Sequence, residues 1–317
     1  MKIVVLDGST VNPGDNPWTP LESLGELHIY ERSTPDEVVD RATDADIVVI
    51  NKIRLGESEF QQLPHLKLVA VTATGHDCVD SGAARAHGVS VCNVPEYGTE
   101  SVAQFTMALL LELCHRVGRH DQLIREGEWQ RAGDFSFFRS PQRELVGQTM
   151  AIVGWGRIGQ RVGRIAQAFG LEIIAVSRSQ TAELPDGVRW GSLAEAFSTA
   201  DTVSLHCPLT DKTAGMVNAT VLRTMRRSAL LINTARGGLV KDDDLATALN
   251  EGCIAGAALD VVTQEPIHPE NPLLGAANCL LTPHMAWSSL AARSRLMRMT
   301  ATNIRGFLDG VAQNVVN

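Results

Sequence analysis

Nowhere does this 317-residue chain carry an apolar run long enough to span a bilayer, so no membrane partner is expected. Nor does it carry a block of lysine and arginine. With 28 basic against 36 acidic side chains its formal net charge is −8, and nucleic acid is not an expected partner. The six cysteines, Cys78, Cys92, Cys114, Cys207, Cys253 and Cys279, show neither C-x-x-C spacing nor the density of a secreted scaffold. Reduced, mostly buried thiols are predicted, and no metal site. The stretch Met1 to Asp7 meets an acid too soon for the apolar core of a secretion signal, which predicts a cytoplasmic protein.

What is present is an alternation of strand-like and helix-like segments, the mark of an α/β protein with parallel sheets. The length favours two domains over one core. A first block holds apolar runs at Lys2 to Leu6, Asp46 to Ile50, Leu68 to Thr72 and Val89 to Val94, with no glycine-rich loop after its first strand. A second block follows Gln148, with strands expected near 150–153, 171–176, 202–205, 229–233, 256–260 and 279–282. Between them, Ser101 to Leu113 is apolar on nearly every side. It is read as an interdomain helix or a contact with another subunit, and a homodimer is favoured. Ser288 to Gly310 is helical by period.

The second block opens with Ala151-Ile152-Val153-Gly154-Trp155-Gly156-Arg157-Ile158-Gly159, an apolar strand running into G-x-G-x-x-G. The helix after it places Ile158, Val162, Ile165, Ala166 and Phe169 on one face. In that context Gly154 allows a tight turn, Gly156 the approach of a pyrophosphate and Gly159 close helix–strand packing. The next strand, Leu171 to Val176, lacks the acid that normally accepts the ribose hydroxyls. It ends instead in Ser177-Arg178-Ser179, a guanidinium between two hydroxyls, which suits a 2′-phosphate. NADP(H) is therefore favoured, with NAD(H) left open.

Later strands end in Asn233-Thr234-Ala235-Arg236-Gly237, in Asp260, and in Thr282-Pro283-His284, with Gln264-Glu265-Pro266 in a turn. Singly, these read as a turn ion pair, a helix cap, a solvated charge and a satisfied polar group. Together they can transfer hydride to a 2-keto acid: Arg236 binds the substrate carboxylate and polarises the carbonyl, and His284 protonates the developing alkoxide. Glu265 on the second ring nitrogen favours the imidazolium form. Asp260 would tune or orient the cofactor.

With Leu205-His206-Cys207-Pro208-Leu209-Thr210 and Leu259-Asp260-Val261, these motifs stand in one order and spacing over essentially the whole chain. The sequence resembles the D-isomer-specific 2-hydroxyacid dehydrogenase family. Asn51-Lys52, Thr74 to Asp80, Asn93 to Gln104 and His284-Met285-Ala286-Trp287 are most similar to its glycerate dehydrogenases, also called hydroxypyruvate reductases. The resemblance implies two doubly wound parallel-sheet domains: a Rossmann domain over 99–286, inserted in a flavodoxin-like substrate domain of 1–98 and 287–317. Closure by hinge motion is part of the same expectation. It implies catalysis by Arg236, Glu265 and His284. Cofactor contacts are implied from Gly154, Gly156, Arg157, Ile158, Gly159, Ser177, Arg178, Ser179, Cys207, Pro208, Thr213, Thr234, Ala235, Arg236, Asp260, His284 and Ala286. Substrate contacts are implied from Thr74, Gly75 and His76, although His76 reads equally as a surface loop residue. Lys52 is a further substrate contact or a solvated lysine, and Trp287 a pocket wall or hinge packing. The substrate class is a small 2-keto or 2-hydroxy acid. A dinucleotide-sensing co-repressor on the same fold is the alternative, and would show as added tails or peptide-binding insertions. Pro283 argues against formate chemistry, where Gln precedes the histidine.

Overall fold

In parallel α/β chains the order of the strands decides where a ligand can sit. A computed structural model of the protein describes residues 1–180 and 183–317. The chain divides into two compact units, Met1–Gly98 with Trp287–Asn317, and Thr99–Ala286.

The first unit contains β1 (Lys2–Val5), β2 (Glu26–Ile29), β3 (Ile47–Ile50), β4 (Leu68–Val71) and β5 (Ser90–Cys92). They pair in parallel in the order β2-β1-β3-β4-β5, the flavodoxin-like arrangement. The central strands read as continuous apolar runs because both of their faces are covered. One face packs Val4, Val48 and Val69 with Phe60 and Leu63. The other packs Ile3, Ile47 and Leu68 with Leu296, Met297 and Ile304 of the helix Leu290–Leu308.

The second unit contains β6 (Thr149–Val153), β7 (Glu172–Val176), β8 (Val188–Trp190), β9 (Thr202–Leu205), β10 (Leu230–Asn233), β11 (Gly256–Leu259) and β12 (Cys279–Leu281). Their order is β8-β7-β6-β9-β10-β11-β12, all parallel. Counted from β6, this is the 3-2-1-4-5-6 order of dinucleotide-binding folds with one more strand at the far edge.

Two strands escape the sequence reading, β2 and β8, and both lie at a sheet edge. Glu-Leu-His-Ile and Val-Arg-Trp are short, charged and mostly not buried, so the apolar signal of a central strand is missing. The helix Thr99–His115, left open by the sequence, packs inside the second unit. Its Met107, Leu110 and Cys114 meet Trp155, Val162 and Ala166 on one side and Ile232 and Ala258 of the sheet on the other. Phe169, expected on the buried face of the following helix, is instead exposed: the helix ends at Ala168 and Phe169 is its C-cap, where the helical period no longer governs. Of the six cysteines, Cys92 and Cys114 are buried and the other four half-buried, all unbridged. Among the described residues no helix is long and apolar enough to cross a membrane.

Candidate active site

Strand register fixes which residues meet at the carboxyl edge of the second unit's sheet. Val153 pairs with Val176 and with Leu205, Leu205 with Asn233, Asn233 with Leu259, and Leu259 with Leu281. The residues that follow, Gly154, Ser177, His206, Thr234, Asp260 and Thr282, therefore form one row, each about 5 Å from its neighbours. Separations of tens of residues in sequence become adjacent positions on one edge.

The glycines of the turn divide by what the fold itself requires. Gly154 has φ +108°, and a Cβ there would lie 2.5 Å from the Cys207 amide nitrogen. A Cβ on Gly159 would meet the Gly154 carbonyl oxygen at 2.2 Å. Gly156 differs: an added Cβ meets no protein atom within 4 Å. It is also the N-cap of the helix Arg157–Ala168, without a side-chain cap on the first-turn amides. Its bare backbone suits a phosphate approaching from outside rather than internal packing. Within the helix, half-buried Ile158 packs against the core.

Beside this turn, β7 delivers half-buried Ser177 and exposed Arg178 and Ser179. Beyond β9, Thr213 Oγ1 donates to the Pro208 carbonyl at 2.8 Å and accepts from the Thr210 amide at 2.8 Å, which folds the loop carrying Cys207 and Pro208. Desolvation raises the pKa of the Cys207 thiol, keeping it neutral.

After β10 the fully buried Asn233 builds the next turn. Its Nδ2 donates to the Arg236 carbonyl (2.9 Å) and its Oδ1 accepts from the Ala235 amide (3.0 Å). Arg236 is half-buried, with Nη1 on the Ala235 carbonyl at 2.8 Å. Behind it a Cβ on Gly237 would lie 1.9 Å from the Val262 carbonyl oxygen, so the chain passes there only as glycine. Thr106 Oγ1 gives its one proton to the Val102 carbonyl at 2.8 Å; it must then accept from Thr234 Oγ1 at 3.0 Å. Thr234 thus presents only lone pairs to any further partner.

Asp260, 1 % exposed, holds the turn that carries the histidine. Thr282 Oγ1 and the Met285 amide donate to its Oδ1 at 2.6 and 2.9 Å, and the Ala286 amide to its Oδ2 at 2.8 Å. Burial raises its pKa, while these three bonds and the nearby His284 oppose the rise. The wrapped turn fixes His284 at φ +51°, a left-handed conformation unusual outside glycine. His284 Nδ1 lies 2.6 Å from Glu265 Oε2, and Glu265 Oε1 accepts from the Val262 amide at 3.2 Å. A carboxylate can only accept, so in this contact Nδ1 carries the proton. Asp260, expected to orient a cofactor, therefore has most of its acceptor capacity engaged by the His284 turn.

In the first unit, by itself, Lys52 follows β3 and is exposed, while Thr74, Gly75 and His76 follow β4, Thr74 exposed and the other two half-buried. Thr74 Oγ1 donates to the Val94 carbonyl at 3.0 Å and the Thr74 carbonyl accepts from Asn93 Nδ2 at 2.7 Å, so its side chain shapes its own loop. Sequence reasoning missed the supporting residues Asn233, Thr282 and Thr106. Only Asn233 left a signal, an Asx residue opening a turn two positions before its amide partner.

A parallel sheet in the dinucleotide order, with one glycine left bare toward solvent at a helix start, defines a dinucleotide-binding class of fold. A family model for the D-isomer specific 2-hydroxyacid dehydrogenase, NAD binding domain, matches residues 107–286. A hydroxypyruvate reductase of Blautia hydrogenotrophica is 45% identical over 321 residues, covering 100% of both chains. A glycerate dehydrogenase of Methylorubrum extorquens is 38% identical over 92% of each. Among solved structures, the NADPH-dependent glyoxylate/hydroxypyruvate reductase of Sinorhizobium meliloti in complex with citrate is 31% identical, with a TM-score of 0.86 over 99% of this chain and 97% of that one. The chain belongs to the D-isomer specific 2-hydroxyacid dehydrogenase family, whose members are oxidoreductases that use a nicotinamide cofactor.

One further group on the edge titrates unusually. His206 is half-buried as a residue, its Nε2 is 2.8 Å from Ser204 Oγ, and desolvation of the ring pushes its pKa down to about 4. The folded state keeps this imidazole neutral while the unfolded chain protonates it below about 6.5. Its contribution is therefore intact above that pH and lost as pH falls toward 4. Thermal unfolding of wild type and His206→Gln between pH 7 and 4 should show the variant losing less stability on acidification, and parallel curves would refute the assignment.

Proposed function

We propose that this protein reduces small polar 2-keto acids, hydroxypyruvate and glyoxylate above all, to the corresponding 2-hydroxy acids, with the D configuration where carbon two becomes chiral and with NADPH preferred over NADH. The observation that carries the reading is the 2.6 Å contact between His284 Nδ1 and Glu265 Oε2 on a turn held by a buried carboxylate. A bound nicotinamide would supply the hydride. His284 gives its Nε2 proton to the oxygen that gains charge, and Glu265 compensates the imidazolium and fixes its orientation. Arg236 pairs with the substrate carboxylate through the guanidinium nitrogens that do not serve its own turn. The second unit takes the nucleotide role and the first the substrate role, with Lys52, Thr74, Gly75 and His76 as its contacts. Arg178, with Ser177 and Ser179, is assigned the 2′-phosphate, because no carboxylate stands at the end of β7 to repel it.

The assembly proposed is a homodimer. The helices Val117–Arg125 and Glu128–Ala132 contain no buried residue, and Phe135 and Phe138 are 86% and 70% exposed. Also in the second unit, Met107, Ala108, Leu111, Ile165 and Phe169 line a mostly apolar groove with Glu100, Gln104 and Arg161. Exposed aromatics and an apolar groove suit a second copy of the chain.

Initial rates with glyoxylate, hydroxypyruvate, pyruvate and phenylpyruvate against each nucleotide test the substrate reading, and pyruvate or phenylpyruvate as the preferred acid would overturn it. His284→Ala should lower kcat by about 10²-fold or more with the fold intact; near-normal turnover would end the assignment of the acid. Arg178→Ala should raise KM for NADPH about tenfold and leave that for NADH nearly unchanged, whereas equal effects would remove the phosphate contact. In sedimentation, wild type should run as a dimer and the Phe135→Ser/Phe138→Ser variant as a monomer; a monomeric wild type or a dimeric variant contradicts the interface.

A further inference from the structure

The first unit buries a charge that its own packing does not call for. Asp7 follows β1 and is 8% exposed, beside the apolar Leu6 and at the same carboxyl edge as Asn51 and Thr72. Its Oδ1 accepts from the Asn51 amide at 2.8 Å, and its Oδ2 accepts from the Lys52 amide at 2.7 Å. Burial raises its pKa, against the opposing pull of the amides of residues 51 to 53 and of the Lys52 charge. Desolvating a carboxylate is costly, and a neutral side chain would close the strand end at lower cost. The charge therefore needs a reason beyond filling space.

That reason lies in what the carboxylate grips. Lys52 is the next residue along, exposed and cationic, on a loop tied down from every other side as well. Asn51, 2% exposed, turns its Nδ2 onto the Thr72 carbonyl and onto Thr72 Oγ1, the latter at 3.2 Å. Thr72 Oγ1 in turn donates to the Ile50 carbonyl at 3.0 Å. The Cys78 thiol reaches the Asn51 carbonyl, the Leu55 amide donates to the Cys78 carbonyl at 3.0 Å, and the Asp80 amide donates to the Leu55 carbonyl at 2.9 Å. The Lys52 loop and the loop of Thr74 to His76 are thus knitted into one platform, with Asp7 beneath it.

We infer that Asp7 is a positioning residue for substrate binding: by accepting from the Asn51 and Lys52 amides it fixes the backbone from which the Lys52 ammonium meets the anionic end of a 2-keto acid. This rests on the reading of Lys52 as a substrate contact. Asp7 touches neither substrate nor cofactor, and it acts on affinity for the acid rather than on the chemical step. Nothing in its contacts reaches the histidine pair or the glycine turn. A residue that merely supports the fold would instead lower stability and every kinetic constant together.

A double-mutant cycle on the whole protein separates these cases, with Asp7→Asn, Lys52→Met and the double variant assayed with hydroxypyruvate and NADPH. Asp7→Asn should raise KM for hydroxypyruvate about tenfold, with kcat and KM for NADPH changed by less than about twofold. Lys52→Met should raise the same KM, and adding Asp7→Asn to it should change little further. If the two effects multiply, or if Asp7→Asn lowers kcat at constant KM, Asp7 does not act through Lys52 and the inference fails while the Lys52 contact stands. If Lys52→Met leaves KM unchanged, the Lys52 contact itself is wrong and the role of Asp7 falls with it. Should Asp7→Asn not fold, Asp7→Glu keeps the charge but displaces it by one methylene. It should raise KM in the wild-type background and not in Lys52→Met; an unchanged KM in the wild-type background overturns the inference.

Discussion

Everything in the second unit depends on one constraint, the flush parallel register of its sheet. Parallel strands must all return to the same edge before starting again, so every strand ends beside the ends of its neighbours. Because Val153, Val176, Leu205, Asn233, Leu259 and Leu281 pair across one level, the residues one step beyond them share a single rim. A slip of one residue in any pair would turn an inward side chain outward and move its loop along the rim. The strands resist such a slip because both sheet faces are apolar and filled. Packing inside the sheet thus sets where the residues at its edge stand.

On that rim the chain accepts local cost where the site requires it. Asp260 is a buried anion, and His284 holds a backbone conformation that an ordinary side chain disfavours. The two are linked: three donors of residues 282, 285 and 286 satisfy the carboxylate, and in doing so they bend the chain through His284. The anion that would be costly alone is satisfied by the turn that would be strained alone. The imidazole then arrives beside Glu265 with its tautomer already chosen.

The sequence makes some of this legible and conceals the rest for physical reasons. The central strands are visible because burial on both faces demands unbroken apolar runs, as in Ile47 to Ile50 and Leu230 to Ile232. β2 and β8 are hidden because an edge strand needs neither apolar face nor length. At the site, residues with reactive groups at strand ends announce themselves: Arg236, Asp260 and His284 break apolar runs with charge. Residues that hold them in place do not. Thr282 and Thr106 matter through one hydroxyl each, and their partners are 22 and 128 positions away in sequence. No local pattern can encode a bond whose other half is fixed only by the fold.

Charge along the rim also argues for a direction. At β7 stands Arg178, a lone exposed cation with hydroxyls on both sides. In the middle, just beyond β9, desolvation keeps His206 and Cys207 neutral, pushing His206 down to about 4 and the Cys207 thiol up. Beyond β10 the rim becomes densely charged, with Arg236, Asp260, Glu265 and His284 within a few strand spacings. At the glycine turn the bare amides of the helix start can address a phosphate, with the exposed Arg157 cation beside them. A rim that runs from the amides of a helix start to a cluster of acid, base and guanidinium suits a ligand built in the same order. Such a ligand has a diphosphate over the amides and its reacting group beyond, as a nicotinamide dinucleotide does.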